Sequence, residues 1–207
     1  MNPHRSERLV YTAFDAEKHD AFLFEMHNDP ISWTNACSQI QVPMTRKFHQ
    51  GVLHHHQSQL LFVIINRVVS KPSTQEGGVV DNASPAAEAL EPIGKLVLEL
   101  VDTTSYQHGN TELGMGIHKD FQGQGYGTEA LNWVMDWAFN YANIHRLGLT
   151  VYEWNTVAYA VYKKVGFQEE GRKRESLYKT GRRWDEIIMG VLVHEWKVIR
   201  ALDKAAT

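Results

Sequence analysis

Gln122-Gly123-Gln124-Gly125-Tyr126-Gly127 stands between a strand-like stretch, Glu112-Leu113-Gly114-Met115-Gly116-Ile117, and a long apolar-periodic stretch at 128–142, TEALNWVMDWAFNYA. In that last stretch Leu131, Val134, Met135 and Ala138 fall on one helical face. A strand, a glycine-rich turn and a helix in that order leave backbone N–H groups without acceptors at the helix N-terminus. The helix field there favours negative charge, so a phosphate or pyrophosphate is the expected ligand. The dinucleotide fingerprint does not fit: after Gly123-Gln124-Gly125 the third glycine, Gly127, comes one residue early. No Gly-Lys-Ser/Thr follows either, which excludes a Walker A loop.

Upstream, residues 8–14 alternate as a first strand, and Asp15 is placed to cap a helix over AEKHDAFLFEMHN. Trp33 is expected in a loop, and Thr45 caps a helix over RKFHQGVLHHH. Residues 60–69 are dense in β-branched side chains and read as a buried strand. Residues 70–92 hold Pro, Gly and small polar residues without a period, and are expected to be a mobile surface insertion within one domain, 1–207. Strands are expected at 93–101, 111–117 and 146–152. Asn155 caps a helix running to Val165, and Gly166 ends it. Two more strands, 167–178 and 184–195, are joined by a hairpin around Gly181. The expected fold class is α+β, with a mixed central sheet flanked by helices.

The 207 residues carry a net charge of −3, so no broad attraction to nucleic acid or anionic lipid is expected. The run Leu61-Phe62-Val63-Ile64-Ile65 is too short to span a bilayer, and the opening MNPHRSERLVY has no signal-like apolar core. Cys37 is the single cysteine, which excludes an intrachain disulfide and a multi-cysteine metal site and fits a reducing, cytoplasmic setting. His54, His55 and His56 are adjacent and do not share a helix face, so no metal is expected.

Four motifs in order carry a family resemblance: Gln122 to Gly127; Asn155, Ala158 and Tyr162; Lys164-Val165-Gly166-Phe167; and the opening Ser6-Glu7-Arg8-Leu9-Val10-Tyr11. Together they resemble the GNAT superfamily of N-acetyltransferases, and within it the RimJ/RimL type, which acetylates ribosomal-protein N-termini and various small amines. The resemblance implies acetyl-coenzyme A as co-substrate and an amine as acceptor, a small molecule or a peptide N-terminus, in a monomer or homodimer. It implies that Gln122, Gly123, Gln124, Gly125, Tyr126, Gly127 and Thr128 wrap the pyrophosphate. Leu113, Met115 and Ile117 would lie on a strand that splays from its neighbour and pairs with the pantetheine arm, with Asn155 beside it. The alternative is a non-catalytic acyl-coenzyme A binding or sensor module on the same scaffold.

Direct transfer to an amine needs a neutral amine, a stabilised carbonyl oxygen and a protonated leaving thiolate. Tyr162 is the candidate general acid: its phenol can donate to the departing sulfur, and it aligns with the family tyrosine given that role. Glu112 is the candidate base, acting through a water, and His118 at the end of the same strand is a further one. Trp33, Phe24 and Tyr178 are candidates for an aromatic acceptor wall, with Glu25 and Asp29 attracting a cationic amine.

Overall fold

The computed structural model describes residues 2–69, 88–100, 104 and 106–205, with side chains to residue 201. Seven strands form one sheet in the order β1-β2-β3-β4-β5-β7-β6. They are β1 (Leu9–Ala13), β2 (Leu61–Val69), β3 (Ala89–Leu98), β4 (Asn110–Ile117), β5 (Arg146–Tyr152), β6 (Gln168–Lys179) and β7 (Arg182–Leu192). Every pairing is antiparallel except β4 with β5. The fold is therefore the expected mixed α+β sheet with helices on its faces.

The helices are α1 (Ala16–Asn28), α2 (Pro30–Ala36), α3 (Arg46–Gln57), α4 (Tyr126–Asn140), α5 (Thr156–Val165) and α6 (Val193–Ala205). Four start where a side chain takes a first-turn N–H: Asp15 from Glu17, Asp29 from Ser32, Thr45 from Phe48 and Asn155 from Ala158. Gly166 closes α5 at φ 111°, a left-handed conformation that costs glycine little. One face of the sheet packs on α4, through Leu131, Val134, Met135 and Ala138 against Leu98, Leu113, Leu147 and Leu149. On the other face Leu23 and Met26 of α1 and Leu53 of α3 close over Ile64.

Three boundaries differ from the expectation, each for a local reason. Trp33 lies in helix α2, not in a loop: Pro30 opens it, and Asp29 accepts the Ser32 N–H at 2.8 Å. β3 begins at Ala89, so 89–92 of the expected insertion are strand, paired with β2 from Val69↔Ala89 onward. Pro92 is accommodated because the register slips between Ile65 and Asn66, a bulge where a missing N–H is tolerated. The rest of that insertion, 70–87, lies outside the described residues. The last strand stops at Leu192 instead of 195, and Val193–Ala205 is helical. Glu195 reaches back to take the Leu192 N–H at 2.8 Å, while Trp196 packs on Phe139 and, with Arg200, bonds Asp136 of α4.

Candidate functional site

β4 is the axis of the site. Its first part is laddered to β5 at Asn110↔Arg146, Thr111↔Leu147 and Glu112↔Gly148, and there the pairing stops. From Leu113 to Ile117 it pairs only with β3, from Leu98↔Leu113 to Gly94↔Ile117. The strands splay, leaving backbone donors and acceptors on the β5 side of β4 open. Alternation then gives the two faces of β4 different jobs. Leu113, Met115 and Ile117 turn to α4, where a Cβ on Gly127 would meet Met115 Cε at 3.8 Å and Ile117 Cγ1 at 3.9 Å. Gly114 and Gly116 leave the opposite face bare, and a Cβ on Gly116 would come within 3.3 Å of Met26 Cε on α1.

On the α4 side, the turn is held from outside and open within. Gln122 Nε2 donates to the Ile117 carbonyl at 2.8 Å, and Arg8 Nη1 donates to the Gln124 carbonyl at 3.1 Å. Arg8 is itself tied to Glu129 at 2.8 Å. Gly123 and Gly125 adopt φ of 74° and 82°, which other residues enter only with strain. Gly125 is the N-cap of α4 and supplies no side-chain acceptor, so the first-turn N–H groups at Tyr126, Gly127 and Thr128 are left for a ligand. Gln122 to Gly125 are exposed, and Tyr126 to Thr128 half-buried. Past Gly125 and Thr128 a second cavity is lined by Arg5, Arg8, Lys164 and Arg200 together with Glu7, Glu129 and Asp136.

Tyr162 is half-buried on α5, with its ring 5.9 Å from Phe167. Burial pushes its phenol up to about 12, so it holds its proton throughout the neutral range. Among the described residues its hydroxyl has no hydrogen-bond partner. Asn155 spends its side-chain oxygen on the Ala158 N–H at 3.3 Å. Glu112 is exposed, at the laddered end of β4 and on the same face as Gly114 and Gly116. His118 is buried between Phe22 and Phe121, 3.5 Å from Glu25.

On the other face of β4 lies a cavity of about 320 Å³. Its floor is Gly114, Met115 and Gly116 of β4 with Lys95 and Val97 of β3 and Glu99 just past its end. Trp33 and Cys37 close one side, and Phe48, His55 and His56 of α3 another. Of the expected acceptor wall only Trp33 is there. Phe24 packs on His49 beneath the Arg46 guanidinium, and Tyr178 is exposed on the β6–β7 hairpin. Asp29 is occupied in capping α2, and the Ser32 backbone N–H holds its carboxyl below the usual range. Among the described residues Glu99 is the one carboxylate lining the cavity.

Sequence reasoning missed Lys95 and His27, and weighed His56 only as a metal ligand. Burial pulls the Lys95 ammonium down to about 7 and His56 to about 3. Burial, with the Lys95 charge next, holds His27 neutral down to about pH 2. Trp33 Nε1 and His56 Nδ1 are buried without partners. The signal in the sequence was a lysine inside Ile93-Gly94-Lys95-Leu96-Val97-Leu98, where every other position is apolar or glycine. Among the described residues no group of three or more His, Cys, Asp or Glu side chains is arranged to hold a metal ion. None of their helices is long and apolar enough to cross a membrane.

The acetyltransferase (GNAT) domain family matches residues 8–168 of the chain. An uncharacterised N-acetyltransferase of Bacillus subtilis, YnaD, is 28% identical over 116 residues, 56% of this chain and 68% of that protein. A spermidine N(1)-acetyltransferase of Escherichia coli K12 is 30% identical over 100 residues, 48% of this chain and 53% of that one. The alignment thus spans only about half of the Escherichia coli protein. The solved structure of a Vibrio cholerae spermidine N-acetyltransferase with CoA and spermine superposes with a TM-score of 0.70 at 21% identity, over 92% of this chain and 99% of that one.

Proposed function

This chain belongs to the GNAT acetyltransferase family, and from that premise we propose that it transfers the acetyl group of acetyl-coenzyme A directly to a primary amine. The observation that carries the reading is the pairing of an open β4 edge with an uncapped helix N-terminus at Gly125. Acetyl-coenzyme A, when bound, supplies the activated acetyl thioester. Gln122 to Thr128 offer backbone N–H groups and the helix field to its pyrophosphate. The bare edge from Leu113 to Ile117 offers alternating N–H and C=O groups to its amide-bearing arm.

Tyr162 acts as the acid. Its proton stays on at neutral pH, and no protein group competes for the hydroxyl. Asn155 fixes the start of α5 and so the height of Tyr162, two turns along the same helix. The cavity over Gly114 and Gly116 takes the acceptor. Missing side chains at those two positions let a nitrogen approach β4 from the face opposite α4.

The acceptor we propose is an α-amine, as at a peptide N-terminus, in keeping with the RimJ/RimL-type resemblance. A polyamine is strongly cationic and calls for a ring of carboxylates. Here Lys95 and His55 and His56 stand beside the single Glu99. An α-amine, with an ordinary pKa of about 8, is already partly neutral and needs no such ring.

Calorimetric titration with acetyl-coenzyme A should give saturable binding at micromolar ligand; none at high micromolar would end the proposal. Free-thiol release should then be faster with short peptides bearing a free N-terminus than with spermidine. The opposite order would overturn the acceptor class, and binding without amine-dependent release would indicate a sensor module.

A further inference from the structure

Lys95 faces Gly116 directly across the β3–β4 ladder, and it lines the cavity together with Gly114, Met115 and Gly116. It heads a continuous hydrogen-bonded chain. Lys95 Nζ lies 2.6 Å from His27 Nε2. His27 Nδ1 lies 3.0 Å from His49 Nδ1. His49 Nε2 lies 3.1 Å from Asp20 Oδ1, and Arg46 holds the other carboxylate oxygen at 2.7 Å. Asp20 keeps 35% of its side chain exposed, whereas His49 has none.

Elementary chemistry fixes the direction of this chain. An ionised Asp20 only accepts, so His49 donates from Nε2 and, being neutral, accepts at Nδ1. His27 must then donate from Nδ1 and accept at Nε2. Lys95 therefore gives one N–H to His27. That bond pins the nitrogen at the cavity wall and leaves its remaining valences to the cavity.

We propose that Lys95 is the catalytic base that takes the proton from the acceptor amine, with His27, His49 and Asp20 as the positioning residues behind it. The proposal rests on the reading in which this cavity receives the acceptor. An N–H bond of the acceptor ammonium breaks, and its electron pair stays on the acceptor nitrogen. The proton bonds to the neutral Lys95 amine, which becomes an ammonium and returns the proton to water when the acetylated product leaves.

The surroundings support a lysine that is neutral in part of the population. The groups facing Lys95 are His27 on α1, Cys37 just after α2, His49, His55 and His56 on α3, and Glu99 just past the end of its own strand. Burial lowers the affinity of His27, His49 and His56 for a proton, and pulls Lys95 down to about 7. The rival base, Glu112, is exposed at the far, laddered end of β4.

The decisive measurement needs neither cofactor nor variant. Trinitrobenzenesulfonate labelling of the free protein across pH, read per lysine by peptide mass spectrometry, should give Lys95 a midpoint near 7. A midpoint near that of the surface lysines, about 10, overturns the proposal. Nitrogen NMR should show His27 protonated at Nδ1 and His49 at Nε2; the reverse tautomers overturn the chain.

In turnover, wild-type kcat/KM should fall about tenfold per pH unit below the Lys95 midpoint. Lys95→Met should lose about 10²–10⁴-fold and that dependence. Lys95→Arg should not rescue it, because the guanidinium stays charged. Glu112→Gln should keep the acid limb; losing it there while Lys95→Met keeps it makes Glu112 the base and overturns the proposal. A stable acetyl group on Lys95 after incubation with acetyl-coenzyme A would make it an acceptor and also overturn the proposal. If the wild type acetylates no amine, the acceptor reading itself fails, whereas the labelling midpoint still reports on Lys95 alone.

Discussion

The two faces of β4 are built by different means. Toward α4 the candidate site is made of backbone: left-handed glycines at Gly123 and Gly125, an uncapped helix start and an open strand edge. Toward α1 and α3 it is made of side chains on separate elements, Lys95, His27, His49, Asp20, Trp33 and His56. A backbone site needs few residue identities, set close together in sequence. A side-chain site needs distant residues brought into register, and its groups carry burial costs that make it sensitive to pH.

The largest expected effect lies at Tyr162 on α5. Tyr162→Phe removes an acidic hydroxyl and keeps the ring, so single-turnover transfer should slow by about 10²–10⁴-fold. Calorimetric affinity for acetyl-coenzyme A should hardly move, since the loss belongs to the transition state. An equal loss in binding would place Tyr162 with the backbone site as a cofactor holder. Unchanged transfer would remove it from the chemistry.

Acid should strike one face and spare the other. His27 has a folded affinity for protons far below its unfolded one, so the unfolded state binds the extra proton as pH falls below 6.5. Stability is then full above 6.5 and is lost toward the folded value of about 2. At pH 5 this one buried ring costs about 2 kcal/mol. Urea midpoints at pH 7.5 and 5 measure it, and His27→Gln should shrink the difference by about that share, His56 keeping its own. An equal slope in that variant would move the acid sensitivity elsewhere.

Gly125→Ala puts a side chain into a left-handed position and should cost about 1–2 kcal/mol in stability or in a reshaped turn. Acetyl-coenzyme A affinity should fall with it, while the Lys95 labelling midpoint stays put. A shift in both would mean that the two faces are coupled through β4. The smallest effect is expected at Trp33→Phe. It removes a buried N–H that has no acceptor, so unfolding free energy should change by under about 1 kcal/mol or rise slightly. A large loss would show that the indole bonds a group in the cavity.

The same contrast decides what could be read from the sequence. Asp15, Thr45 and Asn155 act within three residues of themselves, and so do the glycines of the turn. Their meaning is local and legible. The splay of β4 was implied by the family resemblance, and its alternation was already written in Glu112-Leu113-Gly114-Met115-Gly116-Ile117. Lys95 and His27 stand 68 positions apart and meet only through the packing of α1 over β3. His56 was visible but was weighed only as a metal ligand. Helix α6 was hidden because Val191-Leu192-Val193 continues the apolar character of β7; the Glu195 bond to Leu192 and Trp196 on Phe139 mark the change. Asp29 looked like a charge for the acceptor, but a cap at a helix start was the nearer use.

The splay also has a mechanical meaning. The sheet is two plates, β1 to β4 and β5 with β7 and β6, riveted at only three residue pairs. A pull across the sheet would part that line before it parted the antiparallel ladders on either side. The line of weakness runs beside the open edge where an extended ligand would lie. A molecule hydrogen-bonded along Leu113 to Ile117 and also touching β5 would splice the plates along the line where they share the fewest ladder pairs.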